Sequence, residues 1–130
     1  FRIRQKRAGQ LVSKSRLIGA QFCAWLQDDH WLQLASQANA SARSLADALL
    51  ATHAARLAWP AQANEVFAIL PRALHAQLLS HGVRCADWYD TSVPPGTVLA
   101  AEEMVVRFVT SWSSTSDEVQ ALAGLIRRLA

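Results

Sequence analysis

Acidic residues are missing from the first 27 positions of this 130-residue chain, where the first carboxylate is Asp28. Six of the thirteen Lys and Arg residues, Arg2, Arg4, Lys6, Arg7, Lys14 and Arg16, fall in that same stretch. From residue 17 onward seven basic residues face ten acidic ones, so the net charge of +3 describes one segment and not the chain. A basic arm is the electrostatic footprint of nucleic-acid binding. This one lacks interleaved aromatics and leads into a mildly acidic body, and no nucleic-acid partner is expected. No apolar run approaches the ~20 residues of a membrane span, and no signal-peptide pattern opens the chain; no membrane partner is expected, and a cytoplasmic location is. The two cysteines, Cys23 and Cys85, have no metal-type spacing and read as buried free thiols. His30, His53, His75 and His81 show no ligand spacing either. There is no glycine-rich phosphate loop and no G-x-S-x-G. The opening residue is Phe1 and not methionine, and the chain reads as a piece of a longer protein.

Apolar residues make up 52% of the chain, enough for one domain with its own core. Residues 13–27, SKSRLIGAQFCAWLQ, read as a helix that is apolar nearly all round. Such a helix is normally buried, and a chain of this size can hardly surround it, so further protein is expected to cover it. Residues 30–53 form the longest expected helix, with Trp31, Leu34, Ala38, Ala42, Leu45 and Leu49 on one face and Asp29 as its N-cap. The period then changes. RLAWP (56–60) and EVFAIL (65–70) are short strands joined by a hairpin-length loop. Pro71 starts a helix that ends on Gly82. VRCADWYD (83–90) is a third strand and MVVRFVTSW (104–112) a fourth. Thr115 with Glu118 forms a capping box for a last helix striped by Val119, Leu122, Ile126 and Leu129.

The expected fold class is α/β (α+β), in the order α-α-β-β-α-β-β-α: a small, mainly antiparallel sheet of three or four strands with helices on one face. The other face then meets solvent or a partner. In the fourth strand, period two puts Met104, Val106, Phe108, Thr110 and Trp112 toward the core and Val105, Arg107 and Val109 on the opposite side. Arg107 thus sits mid-strand between two valines. It is either a solvent-side arginine with its stem along apolar surface or a planar fork waiting for a carboxylate or phosphate. Asp87 and Asp90 read as strand-end residues, and Lys14, beside other cations at a helix start, does not read as a Schiff-base lysine.

RQKRAGQLVSKSRLIGAQ (4–21), ANEVFAILP (63–71) and VRFVTSW (106–112), in this order and spacing, resemble the C-terminal third of low-specificity L-threonine aldolases. Those are pyridoxal 5′-phosphate enzymes of the aspartate-aminotransferase fold (fold type I) that cleave β-hydroxy-α-amino acids to glycine and an aldehyde. The resemblance implies that residues 1–14 end the large cofactor domain or link it to a small domain at 15–130. It implies that the cofactor lysine lies before Phe1, since the family's glycine-rich context follows neither Lys6 nor Lys14; the chain alone then holds no catalytic residue and is inactive. Arg107 matches the family's arginine in an R-[LF]-V-T strand, which grips the substrate carboxylate. Arg16 matches the arginine of an S-K-x-R helix start near the cofactor phosphate, and Lys6 or Arg7 a lysine that reaches a neighbouring active site. The implied partners are an amino-acid substrate, the missing large domain and further copies in a homodimer or homotetramer. Another reaction on the same scaffold, aminotransfer or β-elimination, uses the same arginine, and a free-standing interaction module with a basic arm is the reading from a different class.

Overall fold

The computed structural model describes residues 1–130, in two compact units, Phe1–Gln33 and Leu34–Ala130. The first holds α1 (Arg2–Arg7), α2 (Ser15–Leu26), a 3-10 turn (Gln27–Asp29) and the start of α3 (His30–Leu50). The six-residue α1 adds one helix ahead of the expected order. No residue of this unit is buried, Cys23 included, which corrects the expected burial of that thiol. Leu17, Phe22 and Trp25 are exposed by about half their surface, so the apolar circumference of α2 is open. Within the unit Trp25 packs edge-on against Phe22 at 6.1 Å and tilted against Trp31 at 6.2 Å. Asp29 does not cap α3. It lies at φ +57° directly after Asp28 at φ +52°, whereas an N-cap takes an extended backbone. Two consecutive left-handed residues make the corner here, a conformation that Asp tolerates better than most side chains.

The second unit carries the sheet. Its strands β1 (Arg56–Leu57), β2 (Glu65–Pro71), β3 (Ala86–Asp87) and β4 (Glu103–Val109) run in the order β1-β2-β4-β3, every pair antiparallel. The β2–β4 ladder spans seven residue pairs, from Glu65↔Val109 to Pro71↔Glu103. Alternation sends Val66, Ala68, Leu70, Met104, Val106 and Phe108 to one face. There they meet Ala42, Leu45, Ala46 and Leu49 of α3, Leu74 and Leu78 of α4 (Arg72–Ser80), and Val119 and Ile126 of α5 (Ser116–Leu129). All the helices of this unit thus share one side, as the alternation required.

Chain ends of the helices follow local chemistry. Pro71 precedes α4 with φ −60°, ψ 137°, and Gly82 terminates it at φ +84°, a left-handed position that costs glycine nothing. Thr115 and Glu118 close the capping box on α5: Glu118 N–H donates to Thr115 Oγ1 at 3.2 Å and Thr115 N–H to Glu118 Oε2 at 2.8 Å.

Three strands are shorter than the residue pattern suggests: β1 keeps only Arg56 and Leu57 of 56–60, although Ala58 N–H still donates to Phe67 O. β4 stops at Val109 because at Thr110 only half of the next ladder pair is made, the Asn64 side chain replacing its backbone N–H. The Thr110 N–H donates to Asn64 O, its hydroxyl to Ala38 O at 2.8 Å, and its carbonyl accepts from the Asn64 amide. Ser111–Ser114 then form a turn closed by Ser114 N–H to Ser111 O, so Trp112 sits in that turn, 58% exposed, and not in the core. β3 keeps only Ala86 and Asp87, because Asp90 Oδ1 takes the Val105 N–H where the next strand bond belongs.

The second face of the sheet is not left to solvent. Ile69 and Val105 are buried there with Ala58, under Trp59, Phe67, Trp88, Val93 and Leu99. The loop that supplies Val93 and Leu99 is tied down by Arg56, which donates to Val98 O at 2.7 Å and grips Glu103 through Nε and Nη2.

Leu49 is fully buried among three helices and the sheet. Leu49→Ala should lower stability by about 2–5 kcal/mol in urea denaturation, as a large-to-small core change does. Asp90 gives a pH signature. Its carboxyl is held below the ordinary aspartate value of 3.8, first by the Val105 N–H and then by Arg72. A group depressed in the folded state stabilises fully above its unfolded pKa and loses that stabilisation as pH falls through the folded value. Acid unfolding of Asp90→Asn should therefore begin from a less stable neutral state and show a shallower acid limb than wild type.

Candidate functional site

Arg107 leaves β4 on the second face of the sheet, opposite Phe67 of β2 on one side and Ala86 of β3 on the other. Its guanidinium carbon stands 4.9 Å from the centre of the Trp88 ring. Nη1 donates to Glu65 Oε1 at 3.1 Å. Glu65 and Arg107 are diagonal neighbours on one face, since Glu65 pairs with Val109 and Phe67 with Arg107; that spacing lies within reach of long side chains. The arginine side chain is 32% exposed, and its Nε is buried with no hydrogen-bond partner. An ion pair this open contributes less than about 1 kcal/mol to stability. Its interest lies in what it leaves free, because one of five donors is used.

Beside the guanidinium the surface opens into a cleft of about 350 Å³ lined by Trp59, Pro60, Glu65, Phe67, Trp88 and Ser92. Its three aromatic walls are linked edge to face, Trp59 on Phe67 at 5.1 Å and Phe67 on Trp88 at 5.1 Å, and Trp88 packs in turn on Tyr89 outside the cleft at 5.6 Å; Gln62, Glu65 and Ser92 make the rest partly polar. A cleft with aromatic walls, two of whose residues touch a half-shielded cation, suits a small ligand that sets a carboxylate against that cation.

Asp90 is bound to Arg72 and to the Val105 N–H. Buried His75 has Nε2 3.3 Å from Asp87 Oδ1, at an angle that makes no hydrogen bond. Burial, then the charge of Asp87, push the Cys85 thiol up in pKa, which keeps it protonated and a poor nucleophile. No three His, Cys, Asp or Glu side chains converge as a metal site would need, and no helix is long and apolar enough to cross a membrane.

Of the residues singled out in the sequence, Arg107 lies in the second unit and Arg16, Lys6 and Arg7 in the first. Arg16 stands in the first turn of α2, Lys6 and Arg7 in α1, all three exposed and without an ion-pair partner. Glu65 and Trp88 were not among the expected site residues. The alternation of Glu65 and Phe67 puts them on one face, but only the strand register places Glu65 diagonal to Arg107, and residue patterns do not carry that register.

No protein-family model matches the chain. It is 35% identical to the low-specificity L-threonine aldolase of Pseudomonas aeruginosa over 127 residues, 98% of this chain and 33% of that enzyme. Among solved structures it matches the threonine aldolase of Leishmania major with a TM-score of 0.72 and 26% identity, over 87% of this chain and 30% of that one. A serine palmitoyltransferase of Sphingomonas wittichii shares the fold, with a TM-score of 0.55, 20% identity, and coverage of 72% of this chain and 23% of its own. The chain spans about a third of the length of the curated relatives it matches. Its homologues are low-specificity L-threonine aldolases, aligned along nearly all of these 130 residues.

Proposed function

We propose that this chain is the C-terminal part of a pyridoxal-phosphate-dependent aldehyde-lyase that cleaves L-threonine, L-allo-threonine and other β-hydroxy-α-amino acids to glycine and an aldehyde. The observation that carries the proposal is the alignment to threonine aldolases over 98% of the chain. The half-shielded guanidinium of Arg107, in contact with Trp88 and Glu65 that line the cleft, supports it chemically.

In this reading Arg107 holds the substrate carboxylate. The bond to be cleaved has to stand perpendicular to the cofactor ring, and a planar two-bond grip from a rigid strand fixes that angle. When bound, pyridoxal phosphate supplies the electron sink that stabilises the carbanion left by bond cleavage. The residues of this chain fit one end of that cofactor. The first turn of α2 has no acidic residue and no side-chain cap, and Arg16 lies within it; free backbone N–H groups and a cation suit a phosphate. Lys6 or Arg7 adds positive charge for a neighbouring site. Lys14 is followed by Ser15 and Arg16 and Lys6 by Arg7 and Ala8, not by the glycine-rich stretch that follows the family's cofactor lysine, which supports an anchoring lysine elsewhere in the protein and an inactive isolated chain.

Residues 1–14 are the end of the large domain or the segment leading from it, and 15–130 the small domain. The exposed apolar faces of Leu17, Phe22 and Trp25 support a seat for α2 against the rest of the polypeptide, in a cytoplasmic homodimer or homotetramer.

Two outcomes test this. Arg107→Ala in the full-length protein should lower kcat/KM for threonine by the equivalent of about 2–4 kcal/mol, the range for a desolvated charge-assisted contact. Arg107→Lys should rescue poorly, because a point charge does not reproduce the fork; near-normal kinetics in both would make Arg107 a surface residue. Phe22→Asp should change the stability of the 130-residue chain by no more than about 0.5 kcal/mol, as exposed substitutions do, yet markedly destabilise the full-length protein in thermal denaturation.

A further inference from the structure

We propose that Glu65 is a positioning residue that, together with the Trp88 ring, aims the Arg107 guanidinium at the substrate carboxylate. The inference rests on the reading that Arg107 receives that carboxylate.

A planar fork on a flexible stem has two orientations to settle: the tilt of its plane and the rotation within that plane. The Trp88 ring, 4.9 Å from the guanidinium carbon, fixes the first. The single bond from Nη1 to Glu65 Oε1, 3.1 Å long, fixes the second. Both contacts come from the backbone frame that carries Arg107 itself. Glu65 stands on β2, and Trp88 directly follows β3, its N–H donating to Val105 O of β4 at 2.9 Å. Side-chain entropy otherwise works against such a grip, since an arginine held in one geometry gives up its rotamer freedom. A fork already immobilised has lost that freedom before the ligand arrives.

Two features argue that Glu65 orients the arginine without occupying the ligand's place. Its contact uses one oxygen and one nitrogen, so Nη2 makes no bond within the chain and stays available to a ligand, while Nε is buried. Its own side chain is 39% exposed, and water screens the repulsion that its second oxygen would exert on an incoming carboxylate.

Steady-state kinetics of the full-length enzyme with threonine decide the matter. Glu65→Ala should raise KM about tenfold, with kcat within about threefold of wild type, the signature of lost uniform binding. Glu65→Gln keeps an acceptor oxygen for Nη1 and should restore KM to within about threefold. Combined with Arg107→Ala, Glu65→Ala should add nothing, since it acts only through that arginine. Equal melting temperatures of wild type and Glu65→Gln check that the fold is intact. If Glu65→Ala and Glu65→Gln both lower KM, Glu65 competes with the substrate and the inference is overturned. An unchanged KM in Glu65→Ala, or an added effect in the double variant, overturns it as well. A normal KM in Arg107→Ala is a separate failure, that of the carboxylate-binding reading itself.

Discussion

The seven-pair antiparallel ladder between β2 and β4 is the constraint from which both sides of the molecule follow. On one face its alternation fills the space under α3, α4 and α5 with Val66, Ala68, Leu70, Val106 and Phe108. On the other it sets Glu65, Phe67, Val105 and Arg107 in fixed relation. A slip of one residue would exchange the faces, placing a guanidinium in the core and buried valines in the cleft. The energetics of the core therefore hold the site in register. Burial of several large aliphatic side chains amounts to many kcal/mol, far more than the exposed Glu65–Arg107 pair contributes by itself.

Periodicity made most of this unit legible. Helix α5 could be read to its first residue because Thr115 and Glu118 state their own hydrogen bonds, and Gly82 marks the end of α4 for the same local reason. Where the pattern misled, a long-range polar contact had intervened. Trp112 continues the alternation of β4 without fault, yet the Thr110 hydroxyl is claimed by Ala38, 72 residues away, and its carbonyl by the Asn64 side chain. Asp90 cuts β3 short in the same manner through Val105. Asp29 looked like a cap, but Asp28 and Asp29 serve a left-handed corner instead. Propensity describes what each residue accepts; it does not say which distant carbonyl claims it.

The candidate site divides along the same line. Arg107 was conspicuous because a charge in mid-strand between valines asks for an explanation. Glu65 and Trp88, which give it orientation, carry no such local oddity, and they become visible only with the strand register and the turn after β3. The aromatic run Trp59–Phe67–Trp88–Tyr89 is assembled from three separate segments and has no linear signature.

The two outer strands are only two residues long; at one margin the Arg56 side chain turns to Glu103 and Val98 O, and at the other Asp90 takes the Val105 N–H of β4 where β3 would have continued. Long, flat, unpaired margins are what allow one sheet to recruit another into ordered aggregates. Here the margins are too short to template a cross-chain ribbon. The surface that could stick to another chain is instead the exposed apolar side of α2, with Leu17, Phe22 and Trp25.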